Sequence, residues 1–279
     1  MRLLLLQLAL FFLFSPKMTA QIGYRLVNGG RSTALSNSVS AMPCADAVFQ
    51  NPAALASLNR PMAIIASDMR FGVTELRPIG VGFIQPTKSG VFGVSLQHFG
   101  FSALRQQKLG LALARRFSDK LNVGIQLDYV HLQAPNYGNA HLLTFEIGCN
   151  TLITKDLTLA AFVYNPLAVR LSVEERTPSV FRLGTAYTVN RYVIVALELE
   201  KTLVDAVNFS FGLDYKITDV VSVRCGFSSL PARFSFGFGY NVGKNFVMDF
   251  GLAHQALVGS IPAVSLTYLF GKEEVKSEK

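Results

Sequence analysis

The chain of 279 residues has little of what marks many protein classes. It contains no tryptophan, and its three cysteines, Cys44, Cys149 and Cys225, are odd in number and have no metal-type spacing, so neither a disulfide framework nor a zinc site is expected. Charged residues make up only 16% of the chain and hydrophobic residues 50%. No apolar run reaches the about 18 residues that a membrane-spanning helix requires. The hydrophobic content is therefore distributed over many short segments.

Catalytic and cofactor motifs are also missing from the sequence. It has no phosphate loop, dinucleotide fingerprint or cluster of metal ligands, and its four histidines are dispersed along the chain. We therefore predict that the protein is not an enzyme and that it has no cofactor and no metal. The net charge of +8 comes from scattered rather than clustered basic residues, which argues against nucleic acid as a partner.

The first twenty residues have the organisation of an export signal. Arg2 precedes a short apolar run from Leu3 to Phe14, and the small residue Ala20 stands before Gln21. This order is typical of a cleavable signal peptide, which we place at residues 1–20. No cysteine lies near the cleavage position, so lipoprotein processing is not expected.

Most of the remaining chain alternates with a period of two. Phe234, Phe236 and Phe238 share one parity, and Ser235 and Gly237 share the other. Successive side chains of a strand point to opposite faces of a sheet, so this pattern predicts one apolar and one polar face. About fourteen such segments follow one another, near residues 62–68, 76–86, 91–99, 104–117, 121–132, 140–153, 157–165, 180–189, 192–201, 206–217, 220–228, 233–242, 245–254 and 263–270.

Turns supply a second pattern. Compact polar turns occur at every second connection, near residues 87–90, 118–120, 154–156, 190–191, 218–219 and 243–245. The connections at 134–139, 166–179 and 255–262 read as longer. Short periplasmic turns and longer outer loops are typical of outer-membrane barrels. We therefore predict an all-β fold, a transmembrane antiparallel up-and-down β-barrel of about fourteen strands over residues 61–270, in contact with outer-membrane lipid.

A secreted soluble β-sandwich or lipocalin-like barrel is the alternative fold. It would bury its apolar parity inside and would permit isolated charges outside. The apolar parity of this chain is nearly free of charge over about ten segments, which favours the membrane barrel.

The polar parity assigned to the lumen carries both acids and bases. We expect these charges to pair across a restricted lumen and to close it, because buried unpaired charges are costly. The alternative is that they line an ordinary water-filled porin channel. The candidate lumen charges are Arg116, Asp128, Glu146, Arg182, Glu198, Glu200, Asp214, Lys216, Arg224 and Asp249.

Residues 21–60 do not alternate. They contain a short possible helix around Ala45–Phe49 and an Asn51-Pro52 turn that ends it. A segment of this length ahead of a barrel can fold back into the lumen, so we predict an N-terminal plug or hatch at 21–60. Residues 271–279 read as a polar periplasmic tail.

The same segment resembles a known family. Gly29-Gly30-Arg31, Leu35, Asp46 and the Asn51-Pro52-Ala53-x-Leu55-Ala56 pattern, together with the closing strand Val264–Phe270, are similar to the FadL-like superfamily. In particular they resemble the PorV/PorQ-type outer-membrane barrels associated with type IX secretion in Bacteroidota. The resemblance implies a fourteen-stranded barrel with its N-terminal segment lodged inside.

Two functions follow from this resemblance. PorV/PorQ-type barrels imply a non-enzymatic, partner-binding component of protein secretion or outer-membrane assembly, with one or more protein partners, and this is the role we expect. FadL-type members imply the alternative, a transporter of hydrophobic small molecules. A purely structural barrel stays a third possibility. As site residues we select Asn51 and Pro52, which should fix the plug against the first strand, and Arg31 and Asp46, which should pair with lumen charges.

Overall fold

A computed structural model describes residues 24, 26–70, 72–135, 138–169, 177–203, 205–256 and 259–271. The predicted signal peptide at 1–20 and positions 272–279 of the predicted tail lie outside these residues. Among the helices within them, none is long and apolar enough to cross a membrane.

The described residues form a closed barrel of fourteen antiparallel strands. Each strand pairs with its neighbours in sequence, and β1 pairs with β14 from Met62↔Leu269 to Asp68↔Ala263. The strands are β1 Met62–Asp68, β2 Ile79–Thr87, β3 Gly90–Phe101, β4 Leu104–Arg116, β5 Leu121–Ala134, β6 Gly138–Thr154, β7 Leu157–Tyr164, β8 Val180–Asn190, β9 Val193–Thr202, β10 Asn208–Lys216, β11 Val221–Ser229, β12 Ala232–Val242, β13 Phe246–Gln255 and β14 Gly259–Leu269.

The alternation predicts that the apolar parity faces outward and the polar parity faces the lumen, and the structure confirms this prediction. Phe234 and Phe236 of β12 are 58% and 62% exposed, while Ser235 between them is completely buried. The apolar parity therefore covers the outside of the barrel and the polar parity faces the lumen. A closed barrel with an apolar exterior satisfies all its backbone groups and presents its outer surface to lipid. The protein is an outer-membrane β-barrel.

The two rims of the barrel differ in their connections. β1 begins and β14 ends at the rim that carries the turns after β2, β4, β6, β8, β10 and β12, each of two to four residues. The opposite rim carries the two long connections, 69–78 and 165–179. Because short turns face the periplasm in outer-membrane barrels, we call the first the periplasmic rim and the second the outer rim.

Three of the expected connections differ in the structure. The predicted longer connections at 134–139 and 255–262 are short, because β6 already begins at Gly138 and β14 at Gly259. The connection before β2, expected over residues 69–75, spans 69–78 instead, because β2 begins at Ile79 rather than near residue 76. That connection contains a short 3-10 helix, Thr74–Leu76, which takes up part of the segment assigned to the strand.

The described part of the plug, residues 24 and 26–60, lies inside the barrel. It contains helix α1 at Gly30–Ala34, helix α2 at Ala47–Gln50 and a 3-10 helix at Pro52–Ser57. The expected helix around Ala45–Phe49 corresponds to α2. A Cβ atom on Gly226 of β11 would lie 2.7 Å from the carbonyl carbon of Leu35, so the wall needs glycine where the plug backbone passes.

Candidate functional site: the plugged lumen

An ion-pair chain joins the plug to β10, β11 and β13. The Arg31 guanidinium lies 2.9 Å from a carboxylate oxygen of Asp214. Arg224 donates to Asp214 at 3.0 Å and to Asp249 at 2.6 Å. Gly239 leaves room for this arrangement, since a Cβ there would lie 2.6 Å from Asp249. The predicted lumen charges Asp214, Arg224 and Asp249 are thus brought together, and Arg31 is their plug partner.

A second cluster surrounds Arg182 of β8, which is 1% exposed. Its guanidinium pairs with Glu198 of β9 and donates to two plug carbonyls, Asn37 O at 3.0 Å and Gln50 O at 3.1 Å. Glu198 also accepts from the Ser40 backbone N–H at 3.1 Å and from the Ser40 hydroxyl at 2.5 Å. Removal of one partner of such a buried pair typically costs about 3–5 kcal/mol, so this cluster ties the plug to the wall.

A third cluster lies on β4, β5 and β6. The Lys108 ammonium, 2% exposed, lies 2.6 Å from Glu146 and 3.0 Å from Asp128. Gln126 donates to the other oxygen of Asp128 at 2.8 Å. Sequence reasoning selected both carboxylates but missed Lys108. The signal was present, because Lys108 shares the lumen parity of β4 with Gly110.

Two of the predicted lumen charges lie elsewhere. Arg116 and Lys216 are the last residues of β4 and β10, and both are exposed at the periplasmic rim. At the end of a strand, a side chain on the lumen-facing parity extends into water rather than into the packed interior. Arg116 and Lys216 therefore do not belong to the buried network.

Asn51 is a junction between the plug and the wall, but not at the strand that we predicted. Its amide nitrogen donates to Ser40 O at 2.7 Å and to Asn150 Oδ1 of β6 at 2.9 Å. Its oxygen accepts from the Ala53 N–H at 3.0 Å and caps the 3-10 helix. Pro52 lies against Gly124 of β5. Both residues thus contact β5 and β6 rather than β1.

Asp46 also differs from its expected role. It accepts hydrogen bonds from the Ser32 backbone N–H at 3.1 Å and the Ser32 hydroxyl at 2.6 Å, both within the plug. It therefore joins α1 to the segment before α2, and no described wall side chain forms an ion pair with it. Burial in the plug raises the pKa of the Asp46 carboxyl above its usual range.

The opposite sector of the lumen is apolar. Plug side chains including Val48, Phe49 and Leu55 pack on lumen-facing residues of β1–β4 such as Ile64 and Ile84, and we call this contact the apolar interface. The charge clusters lie at β4–β6, β8–β9 and β10–β13, and one further pair, Asp68 of β1 with Arg70, contacts the plug backbone at Leu26 and Asn28. The plug therefore meets β1–β3 mainly through side chains without charge.

Two cavities lie in the same sector. A vestibule of about 890 Å³ opens at the periplasmic rim between the plug and the β2–β4 wall, beside Leu58, Val91 and Ala114 of the apolar interface. On the outer surface, a pocket of about 670 Å³ is lined by the lipid-facing residues Ile79, Val81, Leu96, His98, Gln107, Leu109, Tyr129 and His131 of β2–β5, with Gln97 and Lys108 at its base. We call this the exterior pocket.

The wall between the exterior pocket and the lumen is closed. The β3–β4 register runs without a break from Val91↔Ala114 to Phe101↔Leu104. Register irregularities in the described pairings occur next to the periplasmic turns, at Leu152/Thr154 and at Thr188/Asn190. The described structure is thus a closed state, in which the exterior pocket ends on Gln97 and Lys108 and the apolar interface adjoins the vestibule.

These features define the class of the protein, an outer-membrane β-barrel whose lumen is occupied by its own N-terminal segment. Solved structures with the same fold include the CymD monoaromatic hydrocarbon channel, at 14% identity and a TM-score of 0.69, over 90% of this chain and 99% of that one. The Ralstonia pickettii toluene transporter TbuX has 14% identity and a TM-score of 0.70, over 88% and 99% of the two chains.

A Pseudomonas aeruginosa FadL homologue has 12% identity and a TM-score of 0.67, over 88% of this chain and 99% of the other. The fold of this chain is therefore the same as that of these three barrels. No protein-family model matches the sequence, and no curated protein matches it. The similar structures are described as channels and transporters rather than enzymes.

Proposed function

We propose that this barrel is a conduit for uncharged hydrophobic small molecules across the outer membrane. The observation that carries the proposal is the alignment of the exterior pocket, the apolar interface and the vestibule in one sector, β1–β5. Two structures with this fold are named as a hydrocarbon channel and a toluene transporter, and these names support the same function.

The proposed route begins at the lipid-facing wall. The aliphatic side chains of the exterior pocket, among them Val81 and Leu96, favour an apolar ligand that arrives from the membrane. Because the β-ladder is closed, passage requires a transient local opening of the wall together with movement of Phe49 and Leu55 away from it. The molecule then reaches the vestibule and the periplasm.

The charge clusters have a complementary role in this proposal. They hold the other side of the plug, through Arg31, Ser40 and Asn37, against β8–β13. Buried ion pairs with hydrogen bonds on both partners resist separation more than apolar contacts between flexible side chains do. The plug therefore hinges on its charged side and moves on its apolar side.

The partner-binding role in secretion, the PorV/PorQ-type assignment and the origin from Bacteroidota stay predictions. The closed lumen is the feature that favours them, since a barrel that binds partners needs no pore. The conduit is better supported, because two structures with this fold have names that describe a hydrocarbon channel and a toluene transporter.

The conduit is tested by a reversible lock on the apolar interface. In a background where the three cysteines are serine, Val48→Cys and Gly82→Cys form the lock, because Val48 Cγ1 lies 2.6 Å from the position of a Cβ on Gly82. The control lock is Ser40→Cys with Gly184→Cys on the charged side, where the two Cβ positions are 3.5 Å apart, within the about 3.5–4.5 Å range of disulfides.

Uptake of the hydrophobic fluorophore N-phenyl-1-naphthylamine is measured in cells that express each variant. We expect the oxidised lock on the apolar interface to reduce uptake to the level of cells without the barrel, and a reductant to restore it. The control lock should leave uptake unchanged. The proposed route would be contradicted if neither lock changed uptake, or if both locks abolished it equally.

A further inference from the structure

Cations surround the periplasmic rim at regular intervals. The turns after β2, β4, β6, β8 and β12 contain Lys88, Lys120, Lys155, Arg191 and Lys244, and Lys216 directly precedes the turn after β10. At the seam between β1 and β14, Arg60 donates to Gly271 O at 2.6 Å. All seven positions at which strands meet this rim thus carry a cation. We call these seven residues the cationic collar.

The collar exceeds what nearby carboxylates neutralise. Among the described residues, Arg115 and Arg116 at the end of β4 bring the cations of this rim to nine, against the three carboxylates Asp119, Asp156 and Asp219. The outer rim carries fewer described cations, five against three carboxylates: Arg70, Arg77, Arg105, Lys201 and Arg233, beside Asp68, Glu75 and Asp205. The asymmetry is therefore a property of the rim and not of the overall basic composition.

Aromatic side chains lie directly next to the collar on the outer surface. Phe117 precedes Lys120 by three residues and is 67% exposed, and the ring of Tyr192 lies 4.4 Å from the Arg191 guanidinium carbon. Further exposed rings stand at the same ends of the strands, namely Tyr187, Tyr215, Tyr240, Phe246 and Phe270. Aromatic rings next to cations are typical of the boundary between the acyl chains and the headgroups.

We propose that the cationic collar binds the phosphodiester groups of anionic phospholipids in the periplasmic leaflet. Headgroups surround the whole circumference of a barrel, which matches cations at all seven positions. A soluble acidic protein would dock on one sector and would not require the complete ring. The aromatic girdle supports lipid for the same reason, because it places the collar at the depth of the headgroups.

The test measures lipid selectivity in reconstituted full-length mature barrel. Spin-labelled phosphatidylglycerol and phosphatidylcholine are compared as annular lipids by electron paramagnetic resonance, in bilayers at low salt. The collar variant is Lys155→Gln, Arg191→Gln and Lys244→Gln, none of which lines the vestibule. The control is Arg77→Gln, Arg105→Gln and Lys201→Gln at the outer rim, which removes the same charge. Heat-modified mobility on gels checks that both variants fold.

The wild-type barrel should prefer phosphatidylglycerol by about threefold, and 0.5 M salt should weaken that preference. The collar variant, which loses three of the seven collar cations, should show a clearly weaker preference, while the control keeps the wild-type preference. A wild-type barrel without the preference, or an equal loss in both variants, would overturn the proposal. Capture of an acidic protein by the collar without lipid selectivity would overturn it in favour of a protein partner. Because no transported molecule enters this experiment, its outcome is separate from that of the uptake assay.

Discussion

Replacement of Asn51 by alanine should release the plug from the β5–β6 side of the wall. The side chain makes three hydrogen bonds, to Ser40 O, to Asn150 Oδ1 and from the Ala53 N–H. Ser40 O keeps a second donor, Asn150 Nδ2 at 3.3 Å, but the Ala53 N–H and Asn150 Oδ1 lose the partner described here. At about 1 kcal/mol for each lost bond, and more where a buried group is left unsatisfied, we expect a loss of about 2–4 kcal/mol.

Two assays measure this loss of free energy. Equilibrium urea unfolding in detergent should give a lower free energy of unfolding by that amount. If the loss falls on plug docking alone, the population with a displaced plug rises about 100-fold for 3 kcal/mol, so single-channel recordings in planar bilayers should show more frequent openings. A double-mutant cycle with Asn150→Ala should give a coupling energy of about 1 kcal/mol.

The control carries the same substitution at a site away from the plug. Asn241 donates to Asp219 O across the exposed periplasmic turns, and Asn241→Ala should change stability by less than about 0.5 kcal/mol and leave conductance unaltered. If Asn51→Ala behaves like this control in both assays, Asn51 does not hold the plug and the reasoning from its contacts is wrong.

Three further sets of substitutions test the lumen. Gly124→Ala places a methyl group against the Pro52-Ala53 backbone and should reduce the heat-modifiable, folded fraction on gels, whereas Gly80→Ala meets only the side chains of Val27 and Phe49, at 3.1 Å or more, and should fold normally. Arg182→Met should lower the free energy of unfolding by about 3–5 kcal/mol, and adding Glu198→Leu should recover part of that loss; no recovery would refute the ion-pair assignment. Burial raises the pKa of Asp46, so the folded state binds the proton more tightly than the unfolded state, and stability should fall as pH rises from about 3.8 through the raised pKa. Asp46→Asn should flatten this part of the pH profile and be at least as stable at pH 7, and an unchanged slope would show that Asp46 is not the group responsible.

The barrel could be predicted from the sequence because each strand repeats the same two-sided pattern. Phe234–Phe238 illustrates this, since every second residue must contact lipid and the wall cannot change that periodicity without losing its ladder. The residues at which strands begin and end were harder to predict. The hairpins at 134–139 and 255–262 contain residues that suit a loop, but pairing with the neighbouring strand extends β6 and β14 into them.

The lumen was predicted as a set of charges but not as a set of partners. Parity places Asp214, Arg224 and Asp249 inside, yet their pairing depends on strand neighbours and on where the plug enters, which no local pattern encodes. Lys108 was missed although it has the lumen parity, and Arg116 was included although it lies at the end of its strand. Height along the strand, not parity alone, decides whether a lumen-facing charge is buried.

The glycines of the wall mark where the plug contacts it, but the period-two pattern alone did not reveal this. Gly226 and Gly251 share the polar parity and read as weak strand residues, but plug backbone passes directly over them. The apolar interface was not predicted either. β1 and β2, which carry several of its members, have aliphatic residues on both parities, so alternation is weak there, and the conduit argument depends on that irregular sector.

The central claim is that lipid covers the apolar parity while the plug fills the space behind the polar one. Nitroxide labels at Phe236→Cys and Ser235→Cys, in separate variants without native cysteines, test both halves by collision with oxygen and with a water-soluble nickel complex. The account predicts that the label at 236 collides mainly with oxygen, as a lipid-exposed site does, and that the label at 235 is poorly accessible to both. Strong collision of the label at 235 with the nickel complex, or a label at 236 shielded from oxygen, would contradict it.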